Sequence, residues 1–122
     1  MKITSLSTLP EQAISHNPAI KKKVMLQKKV MLQWGDLPHL TNFSQACFTP
    51  GQSASAHSHA NMCEVFFVES GEGTIWIDDT SYRLSSGVCI AVEAGETHEL
   101  CNTGSTELIL TYFELRVEHV SG

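Results

Sequence analysis

With 122 residues, 42% of them apolar and 17% charged, the chain is long enough to enclose one hydrophobic core and too apolar for intrinsic disorder. Its net charge of −5 argues against a nucleic-acid partner, and no stretch approaches the ~18 apolar residues of a membrane helix. Met1 to Pro10 lacks the apolar core of a signal peptide, and Cys47, Cys63, Cys89 and Cys101 show no CxxC spacing, so a cytoplasmic protein with reduced thiols is expected.

Residues 1–33 read as N-terminal strands or an arm. Lys2 to Ser7 has the composition of a short strand, and Ser15 to Pro18 that of a turn. Lys22–Gln27 and Lys28–Gln33 are the same six residues, KKVMLQ, in tandem. An even insertion preserves the two faces of a strand, whereas it rotates a helix by about 120°, so the repeat predicts strand. Five lysines lie between Lys21 and Lys29. With no aromatic residues among them, they predict a solvated face or a lysine-guarded sheet edge.

From Trp34 onward, short apolar runs alternate with turn signals. Strands are expected at 41–48, 55–60, 64–69, 74–78, 81–84, 88–92, 97–101 and 107–116. The separators include Pro50-Gly51, Gly71-Glu72-Gly73, Asp78-Asp79, Ser85-Ser86-Gly87, Ala94-Gly95-Glu96 and Thr103-Gly104. Regular spacing without an amphipathic helix indicates one all-β domain, a sandwich or barrel, over residues 1–122.

The chemistry concentrates in four residues. His57 and His59 are alternate residues of a β-type stretch, so their imidazoles share a face about 6.6 Å apart. Glu64 opens the strong strand EVFFVE after a candidate turn, and His98 follows the turn at 94–96. Three neutral imidazoles and one carboxylate suit one divalent Mn, Fe, Co, Ni or Zn ion, and an octahedral ion would keep two positions open.

The spacing is informative in itself. Gly51, His57, His59, Glu64 and Gly71 form one pattern over 51–71, and Gly87, Gly95, His98 and Asn102 form a second over 87–102. Together they resemble the two sequence motifs of the cupin superfamily, with one departure: Glu93 stands where the second motif usually has proline. The resemblance implies a double-stranded β-helix, or jelly-roll barrel. It also implies a mononuclear metal site at His57, His59, Glu64 and His98, and a homodimer, often with exchanged N-terminal strands. Proteins of this kind include dioxygenases, decarboxylases, isomerases and modules that only bind a ligand. The intact glutamate argues against the thiol dioxygenases.

Parity sketches the pocket. If Glu64 points inward, so do Phe66 and Val68, and if His98 does, so does Leu100. Phe66 and Leu100 are therefore candidates for the wall of a substrate pocket. Parity leaves Trp76, Tyr112 and Phe113 unplaced and turns Cys63 and Cys101 away from the metal. His16, His39 and His119 have no motif partner and read as surface residues. Two functions stay open: a metal-dependent enzyme acting on a small molecule, and a non-catalytic ligand-binding or sensor module. A general acid or base near the metal would separate them. No catalytic residue is assigned, and Glu93 or Glu96, on the loop before His98, are the carboxylates expected near the mouth.

Overall fold

A computed structural model describes residues 1–14 and 26–117. Among them are ten strands and no helix. They are β1 (Gln12–Ile14), β2 (Leu26–Gln33), β3 (Leu40–Phe48), β4 (Ser53–His57), β5 (Met62–Ser70), β6 (Glu72–Ile77), β7 (Thr80–Ser85), β8 (Cys89–Val92), β9 (His98–Cys101) and β10 (Leu108–Arg116). The strands form a six-stranded sheet in the order β1-β2-β3-β10-β5-β8 and a four-stranded sheet in the order β4-β9-β6-β7. Every pairing is antiparallel. This is the jelly-roll arrangement.

Alternation builds the core. In β5, Glu64, Phe66 and Val68 are buried while Phe67 is 43% exposed. In β10, Leu108, Leu110 and Tyr112 are buried in the same rhythm. Of these, Phe66, Val68, Leu108, Leu110 and Tyr112 meet Ile75, Leu84 and Leu100 from the other sheet in one apolar cluster. Each such aliphatic side chain contributes about 1.5–3 kcal/mol on burial.

Turn chemistry closes the barrel. Gly71, between β5 and β6, has φ +91°, and a Cβ there would lie 2.2 Å from the Glu107 carbonyl oxygen. Only glycine fits both constraints. Asn102, 1% exposed, holds the end of β9. Its amide donates to the carbonyls of Phe48 (2.9 Å) and Thr106 (2.8 Å), and its Oδ1 accepts the Gly104 N–H (2.9 Å).

The N-terminal region differs from the sequence expectation. Residues 6–8 are a turn rather than part of a strand, with Thr8 N–H and Leu9 N–H both donating to the Ser5 carbonyl. Serine and threonine at this density offer the backbone local partners that compete with a ladder. The tandem repeat is strand, as expected: its second copy lies wholly in β2. The pairing of β2 with β3 shifts register between Val30 and Leu32, so the face presented by the repeat switches within its second copy. The candidate turn at Ser15–Pro18, most of the first repeat copy, His16 and His119 lie outside the described residues.

Candidate metal centre

Three elements from both sheets converge at one end of the barrel. His57 closes β4 and pairs directly with His98 at the start of β9, while Glu64 projects from β5 of the opposite sheet. His57, Glu64 and His98 present one ligand atom each, all within 4.8 Å of one another. His59 lies past the end of β4, which stops at His57 rather than running to residue 60. Its Nε2 nevertheless stands 3.4 Å from Glu64 Oε1, and the Nε2 atoms of His57 and His98 stand 3.8 and 3.0 Å from the same oxygen. The expected sharing of one strand face does not place His59. A hydrogen bond from Gly95 N–H to the His59 carbonyl (2.8 Å) ties its segment to the loop before β9.

That loop also answers the departure at Glu93. The Glu93 N–H donates to Glu96 Oε1 (2.8 Å) and the Glu96 N–H donates back to the Glu93 carbonyl (3.1 Å). A proline could not donate the first of these bonds, so the turn is braced by a side chain instead of a ring. Thr97 N–H is held by Asp78 Oδ1 (3.0 Å) and Asp78 N–H by the Thr97 carbonyl (2.7 Å). His98 therefore starts β9 from a fixed position.

Backbone carbonyls orient the imidazoles. His57 Nδ1 is 2.8 Å from the Ser55 carbonyl and His98 Nδ1 is 3.5 Å from the Glu96 carbonyl. A carbonyl only accepts, so Nδ1 carries the proton and Nε2 keeps its lone pair for a metal. Glu64 is 4% exposed and His98 2%. Their Oε1 and Nε2 atoms lie 3.0 Å apart, and with the His98 proton on Nδ1 neither has a hydrogen-bond partner. Buried polar atoms without partners are costly, and a cation is the species that would satisfy both lone pairs at once. The donor set thus fits a divalent ion. Burial pushes the His98 imidazole down, but the adjoining Glu64 carboxylate, the Glu96 carbonyl and the charge of Glu114 outweigh it. The net shift is above the ordinary 6.5.

Beside these residues opens a cavity of about 620 Å³. Phe66 and Leu100 line it. So does Tyr112, which parity had left open; its ring stacks on Phe66 with centroids 5.6 Å apart. Phe113 faces the other way and stacks on Phe43 at 6.1 Å, and Trp76 is half-buried on β6, away from the cavity. Glu93 and Glu96 do not line the cavity either, and the Glu96 carboxylate is engaged in the turn. The carboxylate beside Glu64 is instead Glu114, from β10. Its signal was present in the alternation Leu108, Leu110, Tyr112, Glu114, which puts a carboxylate at the end of an inward row. A cation also reaches the cavity, Lys28 of the tandem repeat, so the lysine run is not merely solvated. Lys29, its neighbour on the other face, donates to the Leu6 carbonyl (3.0 Å).

The four cysteines are free thiols, and none lines the cavity. Burial, then the charges of Glu107 and Glu11, pushes the Cys47 thiol up to about 11. Burial and Glu99 also raise Cys101.

Comparison with known proteins bears on the fold. Residues 44–114, more than half of the chain, match the family model of the cupin domain. The chain is a cupin. Over 66 residues this cupin is 29% identical to the oxalate-binding protein of Thermotoga maritima, and it spans about half of that relative's length (54%). Its fold superposes on a predicted oxalate decarboxylase from the same organism with a TM-score of 0.84 at 21% identity, covering 94% of this chain and 99% of the other. It also superposes on KdgF from Halomonas sp. with a TM-score of 0.70 at 18% identity, covering 92% and 93%. At these identities the structural likenesses speak for the cupin fold.

Proposed function

We propose that this cupin holds one divalent transition-metal ion through His57, His59, Glu64 and His98, and that the ion binds a small oxygen-bearing acid in the adjoining cavity. One observation carries the reading: three imidazole Nε2 atoms approach a single oxygen of a buried carboxylate, and that oxygen has no hydrogen-bond partner. Such an ion supplies Lewis-acid or oxygen-binding chemistry. The oxalate-binding name of the Thermotoga maritima relative favours an acid as the ligand.

Enzymatic action on that ligand, of the dioxygenase, isomerase or decarboxylase type, is the fuller form of the proposal. Tyr112, a hydroxyl donor, and Glu114, a carboxylate that can accept a proton, line the same cavity as Glu64 and support it over a purely binding role. The homodimeric state that the family resemblance implies, and the cytoplasmic setting expected from the N-terminal composition and the cysteine spacing, belong to the proposal too. No described helix is long and apolar enough to cross a membrane.

The test is elemental analysis of protein purified without a nickel column, then calorimetric titration of oxalate into metal-loaded and chelator-treated samples. About one metal per chain and binding heat only in the loaded sample are expected. Metal content near zero after reconstitution at neutral pH overturns the reading. An oxygen-uptake and carbon-dioxide-release screen on the loaded protein separates enzyme from binding module.

A further inference from the structure

The cavity has a second polar wall that the metal does not explain. Glu114 pairs in register with Glu64 on β5 and with Asn42 on β3. Directly paired residues on antiparallel strands share a face, so Asn42, Glu114 and Glu64 form a row across three strands, and all three line the cavity. Asn42 is committed: its two N–H groups donate to Tyr112 Oη (3.3 Å) and Glu114 Oε1 (3.4 Å), and its Oδ1 accepts from the buried Ser44 hydroxyl. The Thr41 hydroxyl, within reach also of the Glu114 carbonyl (3.4 Å) and Met62 Sδ (3.5 Å), lies nearest to Glu114 Oε2 (3.3 Å) and can supply a second bond to it. A carboxylate has about four lone-pair sites, so two bonds leave it with acceptor capacity. No lysine or arginine among the described residues forms an ion pair with it.

From this arrangement we infer that Glu114, held by Thr41 and Asn42, is a specificity residue that accepts hydrogen bonds from hydroxyl groups of a ligand whose acid end lies at the metal centre. The occupant is then a polyhydroxy acid rather than bare oxalate. An acceptor-only carboxylate gains nothing from a dianion that carries no donor and repels its charge, whereas a hydroxyl satisfies it. The volume agrees, since about 620 Å³ lies within the range of pockets that enclose drug-sized ligands. The inference rests on the metal reading above and adds to it the chemistry of the ligand's far end.

The test is calorimetric titration of metal-loaded full-length protein with five acids. Glycerate and gluconate carry hydroxyls beyond the two oxygens that chelate a metal. Lactate and oxalate chelate but carry none. Isoserine places an ammonium where glycerate has its terminal hydroxyl. Glycerate or gluconate is expected to bind at least about tenfold more tightly than lactate and oxalate, the strength of one hydrogen bond to a charged acceptor. Glu114→Gln, which keeps one acceptor oxygen and the shape, should reduce that preference, and Glu114→Leu should abolish it, with metal content unchanged in both. A merely structural Glu114 would shift unfolding without moving the ratio between glycerate and lactate.

Equal affinity for all five acids in the loaded wild type overturns the inference and leaves the metal reading standing. A tenfold preference for isoserine overturns the hydroxyl assignment. Protein that takes up no metal removes the metal reading itself. The wild-type comparison decides the matter even if a variant fails to fold.

Discussion

Metal binding should stabilise this fold by an amount that the buried orphan atoms let one estimate. When the His98 ring is neutral, as metal binding requires, Glu64 Oε1 and His98 Nε2 are both buried without a hydrogen-bond partner, and each unsatisfied buried polar atom costs about 1–3 kcal/mol. An ion that satisfies both would return roughly 2–6 kcal/mol. Linkage gives the same scale, since free metal at about 1,000 times its Kd adds about 4 kcal/mol to the native state. For a chain of this size 1 kcal/mol moves Tm by roughly 3–5 °C, so the metal-loaded protein should melt on the order of 10–20 °C above the chelated protein. Differential scanning fluorimetry across Mn, Fe, Co, Ni and Zn, with and without chelator, measures this. His98→Ala removes one of the two orphan atoms and one ligand, and should shrink the shift to a few degrees. A shift below about 2 °C for every metal, or an undiminished shift in His98→Ala, would refute the reasoning.

The other predictions address separate links. Alanine at His57, His59 or His98 should lower metal content sharply while the barrel still folds, whereas Glu64→Gln should weaken binding by removing the only anionic ligand; elemental analysis with thermal unfolding of the four variants checks both. The metal-induced rise in Tm should grow with pH between about 5.5 and 8. The raised imidazole of His98 stabilises the metal-free fold below its unfolded pKa, and that stability is lost as pH rises through the folded pKa, while metal needs the neutral ring; a shift independent of pH would contradict this. Near pH 8 a thiol reagent should label exposed Cys89 first and Cys47 slowest, because a thiol pushed up to about 11 is only ~0.1% thiolate there, and mass mapping of the labelled peptides reads the order. Deleting residues 28–33 leaves an identical KKVMLQ directly before Trp34, so the residues that β2 presents to the cavity are restored from the first copy; retained metal content would support this, and loss of folding would show that the added length is needed for packing.

Much of the centre was legible in the chain because its signals are local. Glycines at 51, 71, 87 and 95 all adopt positive φ, and each turn sets where the next strand begins, so Glu64 and His98 could be located by spacing alone. Parity then oriented Phe66, Val68 and Leu100, since neighbours on one strand alternate faces whatever they pack against. The placement of His59 shows where this logic ends: β4 stops at His57 and its register with β9 shifts after Ala54, so period two fails there, and Glu64 on the next strand together with Gly95 on the distant loop before β9 defines its position.

The rest of the cavity was decided by pairing between distant strands. Glu114 reaches the cavity only because β10 inserts between β3 and β5, which brings it beside Asn42, 72 residues away in sequence. Alternation can say that Glu114 shares a face with Tyr112, but not which residue of which strand stands opposite, because many registers satisfy the same apolar pattern. Lys28 is a similar case: composition marks a basic run, and the pairing of Lys28 with Ala46 sends this one lysine inward. The sequence by itself determined the types and spacing of the candidate ligands and the strands that carry His57, Glu64 and His98, since those depend on neighbours along the chain. The tertiary structure decided which further side chains share the cavity with the ligands, since that depends on how strands of high sequence separation align.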